Sequence, residues 1–322
     1  MLIGIAVILA VLFGLCVLFR SMATSLQAVC ALEVTGGRAV GGPVVISHRG
    51  ALQGFAPGSR ASISRLQQQA VCRFDLDVTL VENEYIIGHP RDIARGILNQ
   101  SSVRPSHVDA IIGNLTMDKV VTRGGEVMTL EEALTLILKT SSGPCRESER
   151  KGGLRLPLVL LEPKGLAASK NFVQALSTIS DRLGGWQDGA VALWLNDTDL
   201  ASFTLSEFEK ASEKSRKVSP AHGCKNHRAS QVCGPVRLLY PIKQYEPLQA
   251  HQVRREAHWT AAGPPCRTLS PGFTDAAKRR GQSVLCWVVD SKSDACKAAA
   301  LGAIAVVSDA PVQLLQQLHS GG

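Results

Sequence analysis

The sequence predicts an α/β protein built as a (β/α)8 TIM barrel, preceded by an N-terminal transmembrane or signal-anchor helix. Short apolar runs of strand length alternate with helical patterns along most of the chain, which is the rhythm of parallel βαβ units. Seven or eight such strands fit a closed barrel better than an open sheet, and no GxGxxG follows the first of them. Polar and ionisable residues come directly after the apolar runs, at the strand ends where barrels build their sites.

Three segments divide the chain: a membrane segment over residues 1–20, a tether over 21–42 and a barrel domain over 43–322. Leu2–Phe19 is a run of 18 residues without a charge, which is just long enough to span a bilayer. A buried core helix is the alternative interpretation of the same run. Ser21-Met22-Ala23 also has the small-residue pattern of a signal-peptide cleavage site, so a cleaved signal is a second alternative.

Two signals disagree about the side of the membrane on which the barrel lies. Arg20 follows the apolar run and no basic residue precedes it, which favours a cytosolic barrel. Three glycosylation sequons, at Asn99, Asn114 and Asn196, favour the lumen or the cell exterior. We expect a single-pass membrane protein whose barrel is luminal or extracellular.

The predicted strands are short apolar runs bounded by glycine, proline or polar residues. In chain order they are Val44–Ser47, Arg73–Val78, Tyr85–Gly88, Leu156–Leu161, Ala190–Leu195, Val236–Tyr240, Ser283–Val289 and Ala303–Val307. The stretch 243–268 shows no clear pattern.

The predicted helices carry apolar residues at helical spacing, such as Ile63, Leu66 and Ala70 in the first. Thr129 is a candidate N-cap because acidic residues fill the turn that follows it. In chain order the helices are Pro57–Ala70, Met117–Val121, Thr129–Leu138, Ala167–Leu183, Ser206–Ser215, Pro271–Arg280, Ser293–Ala300 and a last one after Pro311. Apart from its short helix, the stretch 91–127 is predicted to be a long loop that helps to shape a binding site.

The composition argues against a nucleic-acid partner. The formal net charge is +8, but the basic residues are scattered and only 5% of the chain is aromatic. Nucleic-acid-binding surfaces concentrate basic residues on one face. We therefore expect no nucleic-acid binding, and the sequence gives no oligomeric state.

The cysteines do not predict a disulfide scaffold, because nine is an odd number and few for a chain of this length. The densest group is His222, Cys224, His227 and Cys233, whose side chains are of the types that bind zinc. Their spacing matches no standard zinc finger. A surface loop, with a Cys224–Cys233 disulfide as one option, is the favoured interpretation.

Three carboxylates fall at the ends of two predicted strands. Asp75 and Asp77 are two residues apart on one strand and therefore point to the same face. Glu162 ends another strand and can converge with them. Hard oxygen ligands without paired cysteines or histidines select Ca²⁺ or Mg²⁺, so the sequence predicts a divalent-metal site.

Two histidines and two cations flank these carboxylates in the sequence. His48 and His89 suit a general acid and base because imidazole titrates near neutral pH. Arg49 offers a planar fork of donors for phosphate oxygens, and Lys164 adds a second positive charge. Together with a divalent ion, these groups predict phosphoester cleavage.

The ordered set resembles the glycerophosphodiester phosphodiesterases. The resemblance rests on His48-Arg49-Gly50, a helix beginning at Pro57, Asp75-x-Asp77, His89 and Glu162-x-Lys164, with Thr129-Leu-Glu-Glu-Ala-Leu, Cys286-Trp-Val-Val-Asp290 and Gly302-Ala-Ile-Ala-Val-Val-Ser-Asp309-Ala-Pro311 in support. It covers about 44–318 in order, and the apolar N-terminal segment makes the chain most similar to the membrane-anchored eukaryotic type.

The resemblance implies a metal-dependent hydrolase that cleaves glycerophosphodiesters, or lysophospholipids, to an alcohol and glycerol 3-phosphate or lysophosphatidic acid. It implies that His48 and His89 are the acid/base pair and that Arg49 is a phosphate ligand with Lys164 beside the metal. By the same resemblance, Asp75, Asp77 and Glu162 hold Ca²⁺ or Mg²⁺, and Trp287 lines the substrate pocket. An ordinary core position is the alternative for Trp287.

Three departures from the family pattern surround these residues. The family usually has Pro-Glu-Asn-Thr where this chain has Pro57-Gly58-Ser59-Arg60, a glutamate at the position of Asp75, and His-Asp where this chain has His89-Pro90. Losses among supporting residues lower metal affinity or activity by about 10–100-fold. The alternative function is therefore a weak or inactive membrane-tethered barrel that binds phospho-ligands.

Overall fold

The computed structural model of the protein describes residues 43–99, 102–123, 127–139, 158–168, 170–184, 190–195, 236–242, 246–254 and 259–319. The predicted membrane segment 1–20, the tether 21–42, the helix 206–215 and the loop with His222, Cys224, His227 and Cys233 lie outside these ranges, as does Asn196. Among the helices in these ranges, none combines the length and apolarity needed to cross a bilayer.

The strands are β1 (Val44–Ser47), β2 (Phe74–Val81), β3 (Glu84–Ile87), β4 (Val159–Pro163), β5 (Val191–Trp194), β6 (Val236–Pro241), β7 (Trp259–Gly263), β8 (Ser283–Trp287) and β9 (Ala305–Ser308). They form one curled sheet in the order β1-β9-β8-β7-β6-β5-β4-β2-β3, and all pairs are parallel except β2 with β3. A further parallel pair, Ser47 with Phe74, joins β1 to β2. The eight parallel strands are thus arranged as a TIM-barrel-like α/β fold.

The described α-helices are α1 (Arg60–Gln68), α2 (Pro90–Leu98), α3 (Pro105–Gly113), α4 (Met117–Arg123), α5 (Leu130–Lys139), α6 (Lys170–Leu183), α7 (Pro271–Arg279), α8 (Lys292–Ala300) and α9 (Pro311–His319). Ser59 accepts a hydrogen bond from the Ser62 backbone and caps α1. At the start of α5, Thr129 and Glu132 each accept a bond from the other's backbone N–H, which is a capping box and confirms the predicted N-cap.

Side chains alternate between two apolar layers along each strand. Ile46, Leu160, Ala192, Trp194, Ala261, Leu285, Ala305 and Val307 form the cluster inside the barrel. Their chain neighbours, such as Val45, Leu161 and Val306, belong to the larger cluster between strands and helices. Because successive strand residues point to opposite faces, this alternation defines which strand residues point into the barrel.

Three parts of the sequence-based architecture are wrong. The strand at 85–87 is antiparallel to β2, its one neighbouring strand among the described strands, so it is not one of the eight barrel strands. The missing parallel strand is β7, within the stretch where no pattern was found. The predicted loop over 91–127 contains α2 and α3, which pack with α4 around a third apolar cluster.

Candidate active site

The candidate residues continue the inward-facing positions of the barrel at its carboxyl-terminal mouth. Phe74, Leu76 and Val78 of β2 pack in the outer layer. Asp75 and Asp77, which alternate with them, therefore point inside. On β4 the same alternation directs Glu162 inward, and the strand register places it beside Asp77. The structure thus brings the three predicted metal ligands to one place.

His48 and Arg49 form a tight turn directly after β1. Arg49 has a backbone φ of 57°, in the left-handed region that side-chain-bearing residues rarely adopt. The Ser62 hydroxyl donates to the Gly50 carbonyl at 2.7 Å, which fixes this turn against α1. His48 Nδ1 lies 2.5 Å from Asp309 Oδ1 at the end of β9. The turn therefore presents a histidine and a guanidinium side by side.

The Arg49 guanidinium is held by two carboxylates. Its Nε lies 3.2 Å from Asp77 Oδ2, and its Nη1 donates to Asp92 Oδ2 at 3.0 Å. Asp92 also pairs with Arg95 on the same helix, α2. Because both contacts fix the planar group, the Arg49 guanidinium is held in one orientation and could offer its fork of donors to an anion.

Lys164 pairs with two of the inward-facing carboxylates. Its Nζ lies 3.0 Å from Asp77 Oδ1 and also contacts Glu162 Oε1. Burial lowers the pKa of Lys164, but attraction to these carboxylates outweighs it, so the pKa is raised overall. Lys164 is therefore a fixed positive charge at neutral pH.

Asp75 is the least compensated of the three carboxylates. Burial raises the pKa of Asp75 well above its ordinary value, and the nearby Glu162 and Asp77 raise it further. Lys164 and Arg49 offset only part of this rise. Burying a carboxylate without a partner costs free energy, and a positively charged group beside it lowers this cost.

A divalent cation fits the chemistry of this donor set. Among the described residues, Asp75 Oδ1 is a buried side-chain oxygen without a hydrogen-bond partner, and Asp77 Oδ2 makes an ion pair but no hydrogen bond with Arg49 Nε. The contacts differ from a preformed site, however: within the described ranges, no three acidic, histidine or cysteine side chains are arranged to hold an ion. Lys164 instead contacts two of the three carboxylates. An ion would therefore compete with the lysine ammonium for the same oxygens.

His89 is delivered to the site by β3. The Gly88 N–H donates to the Asp77 carbonyl at 2.9 Å, and the Thr79 hydroxyl donates to the Gly88 carbonyl at 2.6 Å. His89 is also the N-cap of α2, because its Nδ1 accepts from the Arg91 N–H at 3.1 Å. A backbone N–H can only donate, so the proton of the neutral ring lies on Nε2.

Charge and burial act together on His89. Burial lowers the pKa of His89, and the cations Arg49 and Lys164 lower it further. Asp77 and Asp92 partly counter this shift. His89 is thus held as a neutral ring that offers an N–H from Nε2.

Trp287 is the last residue of β8, which lies two strands from β1 in the sheet. It is half-buried against the inner cluster, and its Nε1 donates to the Gly263 carbonyl at 2.8 Å. Gly263 has room for no side chain, since a Cβ there would lie 2.3 Å from Trp194 Cζ2. A disulfide between Cys266 and Cys286 ties the loop after β7 to the strand that carries Trp287. The indole is therefore fixed beside the mouth.

The departures from the family pattern have local structural roles. Gly58 has a φ of +70°, and a Cβ there would lie 2.6 Å from Ile87 Cγ2. The following Ser59 caps α1. Pro90 is the first residue of α2, where its missing N–H is not needed. These positions support the turns that carry His48 and His89.

Three contributing residues were not assigned a role from the sequence: Asp92, Asp290 and Asp309. Asp92 lies in a stretch that was predicted to be a loop. Asp290 and Asp309 do end predicted strands, and that position was the available signal. Their partners are far away in the chain, His48 being 261 residues from Asp309.

No protein-family model and no curated protein sequence matches the chain. Solved structures do. A phosphodiesterase from Oleispira antarctica, in complex with the product sn-glycerol-3-phosphate, is 17% identical with a TM-score of 0.51, covering 87% of this chain and 98% of its own. A glycerophosphodiester phosphodiesterase from Parabacteroides distasonis is 16% identical with a TM-score of 0.51, covering 87% of this chain and 98% of its own. Another from Thermotoga maritima is 14% identical with a TM-score of 0.53, covering 86% of this chain and 98% of its own.

The chain shares the glycerophosphodiester phosphodiesterase fold. At these identities the likeness establishes the architecture alone, since one barrel fold supports many chemistries. It agrees with the fold predicted from the sequence over residues 44–318.

Proposed function

We propose that the protein is a metal-dependent phosphodiester hydrolase. Its substrates are glycerophosphodiesters, cleaved to an alcohol and glycerol 3-phosphate, or lysophospholipids, cleaved to an alcohol and lysophosphatidic acid. The observation that carries the proposal is the convergence of three carboxylates, two cations and two histidines at one barrel mouth. The product complex of the Oleispira antarctica phosphodiesterase, which shares this fold, supports the glycerol phosphate portion of the substrate.

In this proposal the substrate phosphate binds beside Arg49 and Lys164. Both cations are already oriented by ion pairs, so they offset charge on the phosphoryl oxygens without reorganising. His48 and His89 handle the protons of the attacking and leaving oxygens. Trp287 contacts the portion of the substrate beyond the phosphate. The phosphorus–oxygen bond to the alcohol breaks, and water supplies the new hydroxyl.

Asp75, Asp77 and Glu162 would hold the divalent ion, Ca²⁺ or Mg²⁺. When bound, the ion would act as a Lewis acid that polarises the phosphoryl oxygens. Without the ion, burial raises the pKa of Asp75, and the nearby Glu162 and Asp77 charges raise it further. Ion binding therefore stabilises the protein as well as serving the reaction.

The assay that tests this function measures product release by the purified full-length protein. Glycerophosphocholine and lysophosphatidylcholine serve as the two probes, with glycerol 3-phosphate and lysophosphatidic acid as the products followed. We expect turnover of at least one probe, a fall of about 100-fold or more in EDTA, and recovery with Ca²⁺ or Mg²⁺. Absence of turnover with both probes, or full turnover in EDTA, would contradict the proposal.

The contacts of Lys164 favour a second candidate, a barrel that binds phospho-ligands with little or no turnover. The lysine already contacts Asp77 and Glu162, so an ion would have to displace its ammonium from these oxygens. This candidate predicts calorimetric binding of glycerol 3-phosphate without hydrolysis of either probe. Turnover that disappears in Glu162→Ala would rule it out.

We further propose that Leu2–Phe19 anchors the protein to a membrane and that the barrel lies on the luminal or extracellular side. The Cys266–Cys286 disulfide supports this side, because disulfides persist in oxidising compartments. Two sequon asparagines support it as well. Asn99 and Asn114 are exposed residues that end α2 and α3.

Expression of the full chain in eukaryotic cells should therefore give a glycosylated protein. Treatment with an endoglycosidase is expected to increase its electrophoretic mobility, and Asn99→Gln and Asn114→Gln should each remove one step of that shift. Mobility that does not respond to the enzyme would place the barrel on the cytosolic side.

A further inference from the structure

We infer that Asp309, held in place by Asp290, is a positioning residue that fixes His48 in one tautomer and leaves its Nε2 facing the substrate as the proton acceptor. The inference rests on the proposed hydrolase function and deepens it, because it separates the roles of the two histidines. Neither aspartate is among the residues that the sequence or the family resemblance assigns to the site.

The first observation is the contact between the two side chains. His48 Nδ1 lies 2.5 Å from Asp309 Oδ1, which is within hydrogen-bonding distance. An ionised carboxylate can only accept, so the proton of the neutral His48 ring must lie on Nδ1. The lone pair is then on Nε2, the nitrogen that Asp309 does not occupy.

The second observation is that Asp309 itself is held. The Asp290 Oδ1 atom accepts from the Ser308 hydroxyl at 2.8 Å, the Asp309 N–H at 2.8 Å and the Ala310 N–H at 3.1 Å. The Asp309 side chain is 59% exposed, and without these bonds its backbone would be free to move. Asp290, from the end of β8, therefore locks the turn after β9 in the orientation that reaches His48.

The third observation is the opposite arrangement at His89. There the Arg91 N–H donates to Nδ1, which places the proton of the neutral ring on Nε2. His48 thus offers a lone pair from Nε2, whereas His89 offers a hydrogen from the equivalent atom. Two rings fixed in opposite tautomers cannot exchange roles without breaking one of these bonds.

The step assigned to His48 is a proton transfer. The O–H bond of the attacking water breaks, its electron pair forms the new bond from oxygen to phosphorus, and the proton forms an N–H bond at His48 Nε2. The phosphorus–oxygen bond to the alcohol breaks, and the departing oxygen takes a proton from solvent water. The ring then carries one positive charge, which the Asp309 carboxylate stabilises across the Nδ1–H bond. His89 donates a hydrogen bond from Nε2 to a substrate oxygen.

Kinetics of aspartate variants test the inference. In buried Ser-His-Asp triads, replacing the aspartate by asparagine lowers kcat about 10⁴-fold through the wrong tautomer. Since Asp309 is exposed and water can replace part of its effect, we expect Asp309→Asn to lower kcat about 10–100-fold with KM changed by less than about 3-fold. Asp309→Glu should recover part of this loss.

Substitutions of Asp290 should have different effects on kcat, because its hydrogen bonds need an acceptor oxygen rather than a negative charge. Asp290→Asn keeps that oxygen and should stay within about 3-fold of the wild-type kcat, whereas Asp290→Ala should lose about 10-fold. Asp275→Asn, an exposed aspartate on α7, is the matched control with unchanged kcat.

A second measurement is independent of turnover. Long-range ¹⁵N–¹H NMR of the histidine-labelled full-length protein reports ring tautomers, with the His48 signals identified by their loss in His48→Gln. We expect the Nδ1–H tautomer in the wild type and its loss in Asp309→Ala. If His48 is found with its proton on Nε2, or is unaffected by Asp309→Ala, the inference is overturned.

The two measurements separate the inference from the proposed function. Turnover that is equal in Asp309→Asn and Asp275→Asn would overturn the role of Asp309 while leaving the hydrolase function standing. If the wild type turns over neither probe, the hydrolase function fails, and an Asp309-dependent Nδ1–H tautomer would still support the positioning of His48.

Discussion

Replacing His48 with alanine should lower the turnover of glycerophosphodiesters about 10²–10⁴-fold. General acid–base groups contribute factors of this size, and His48 is fixed by Asp309 in the orientation that proton transfer needs. The measurement is kcat for glycerol 3-phosphate release at neutral pH with Ca²⁺ or Mg²⁺ present. The thermal midpoint should change by less than about 2 °C, because the His48 side chain is 25% exposed and fills no core position.

His319→Ala provides the matched control, since this exposed histidine ends α9 and lies in none of the site contacts described above. Its kcat should equal that of the wild type. A His48→Ala variant with the same kcat as this control would remove His48 from the catalytic groups.

Asp75→Asn should have opposite effects on activity and stability. Asparagine has nearly the same shape as aspartate but carries no charge, so the variant loses a metal ligand. We expect kcat to fall about 10²–10³-fold. In EDTA at pH 8, however, its thermal midpoint should exceed that of the wild type by about 2 °C or more, because the uncompensated buried charge is gone.

The pH dependence of the metal-free wild type follows from the same carboxyl group. Folding raises the pKa of Asp75 above its ordinary value of 3.8, so the folded chain holds this proton more tightly than the unfolded chain. The Asp75 contribution to the free energy of unfolding is therefore complete below pH 3.8 and is lost as the pH rises through the raised folded pKa. Asp75→Asn should lack this loss.

Thermal unfolding with and without Ca²⁺ or Mg²⁺ provides the measurement. The divalent ion should raise the midpoint of the wild type but not that of Asp75→Asn, and Asp181→Asn, an exposed change on α6, should behave as the wild type. A metal-dependent rise in Asp75→Asn would show that the ion binds elsewhere.

The sequence predicted that the three carboxylates and the two histidines lie together, because each lies within or directly after an apolar strand. Alternation along β2 places Asp75 and Asp77 on one face whatever the rest of the fold does. The local sequence pattern was therefore enough to predict where these residues lie, and the same strands predicted the parallel barrel.

The strand β7 was not predicted from the sequence because of the way it packs. Its sequence, WTAAG, ends in two alanines and a glycine, where other strands have large apolar residues. Trp194 from β5 fills the space at Gly263, so this position has no room for a side chain. The sequence pattern of one strand does not show that a large side chain from another strand fills the space beside it.

The helix α2 was not predicted because His89 was interpreted only as a catalytic residue and Pro90 only as a departure from the family motif. His89 is both a site residue and the N-cap, and Pro90 begins the helix. Apolar residues at helical spacing, Ile93 and Ile97, were present. The pairing of His48 with Asp309 had no comparable local signal, since only the folded sheet brings them together.

The distance in sequence between His48 and Asp309 has a consequence for biosynthesis. The first barrel strand pairs with the last, and the two side chains are 261 residues apart in the chain. During synthesis, which proceeds at about 5–20 residues per second, β1 can pair with β2 early, but its pairing with β9 cannot form until almost the whole chain has emerged. Contacts of such long range form late and slowly. The contact between His48 and Asp309 therefore forms late in folding, so the proposed proton acceptor is positioned only after the strands have closed into a ring.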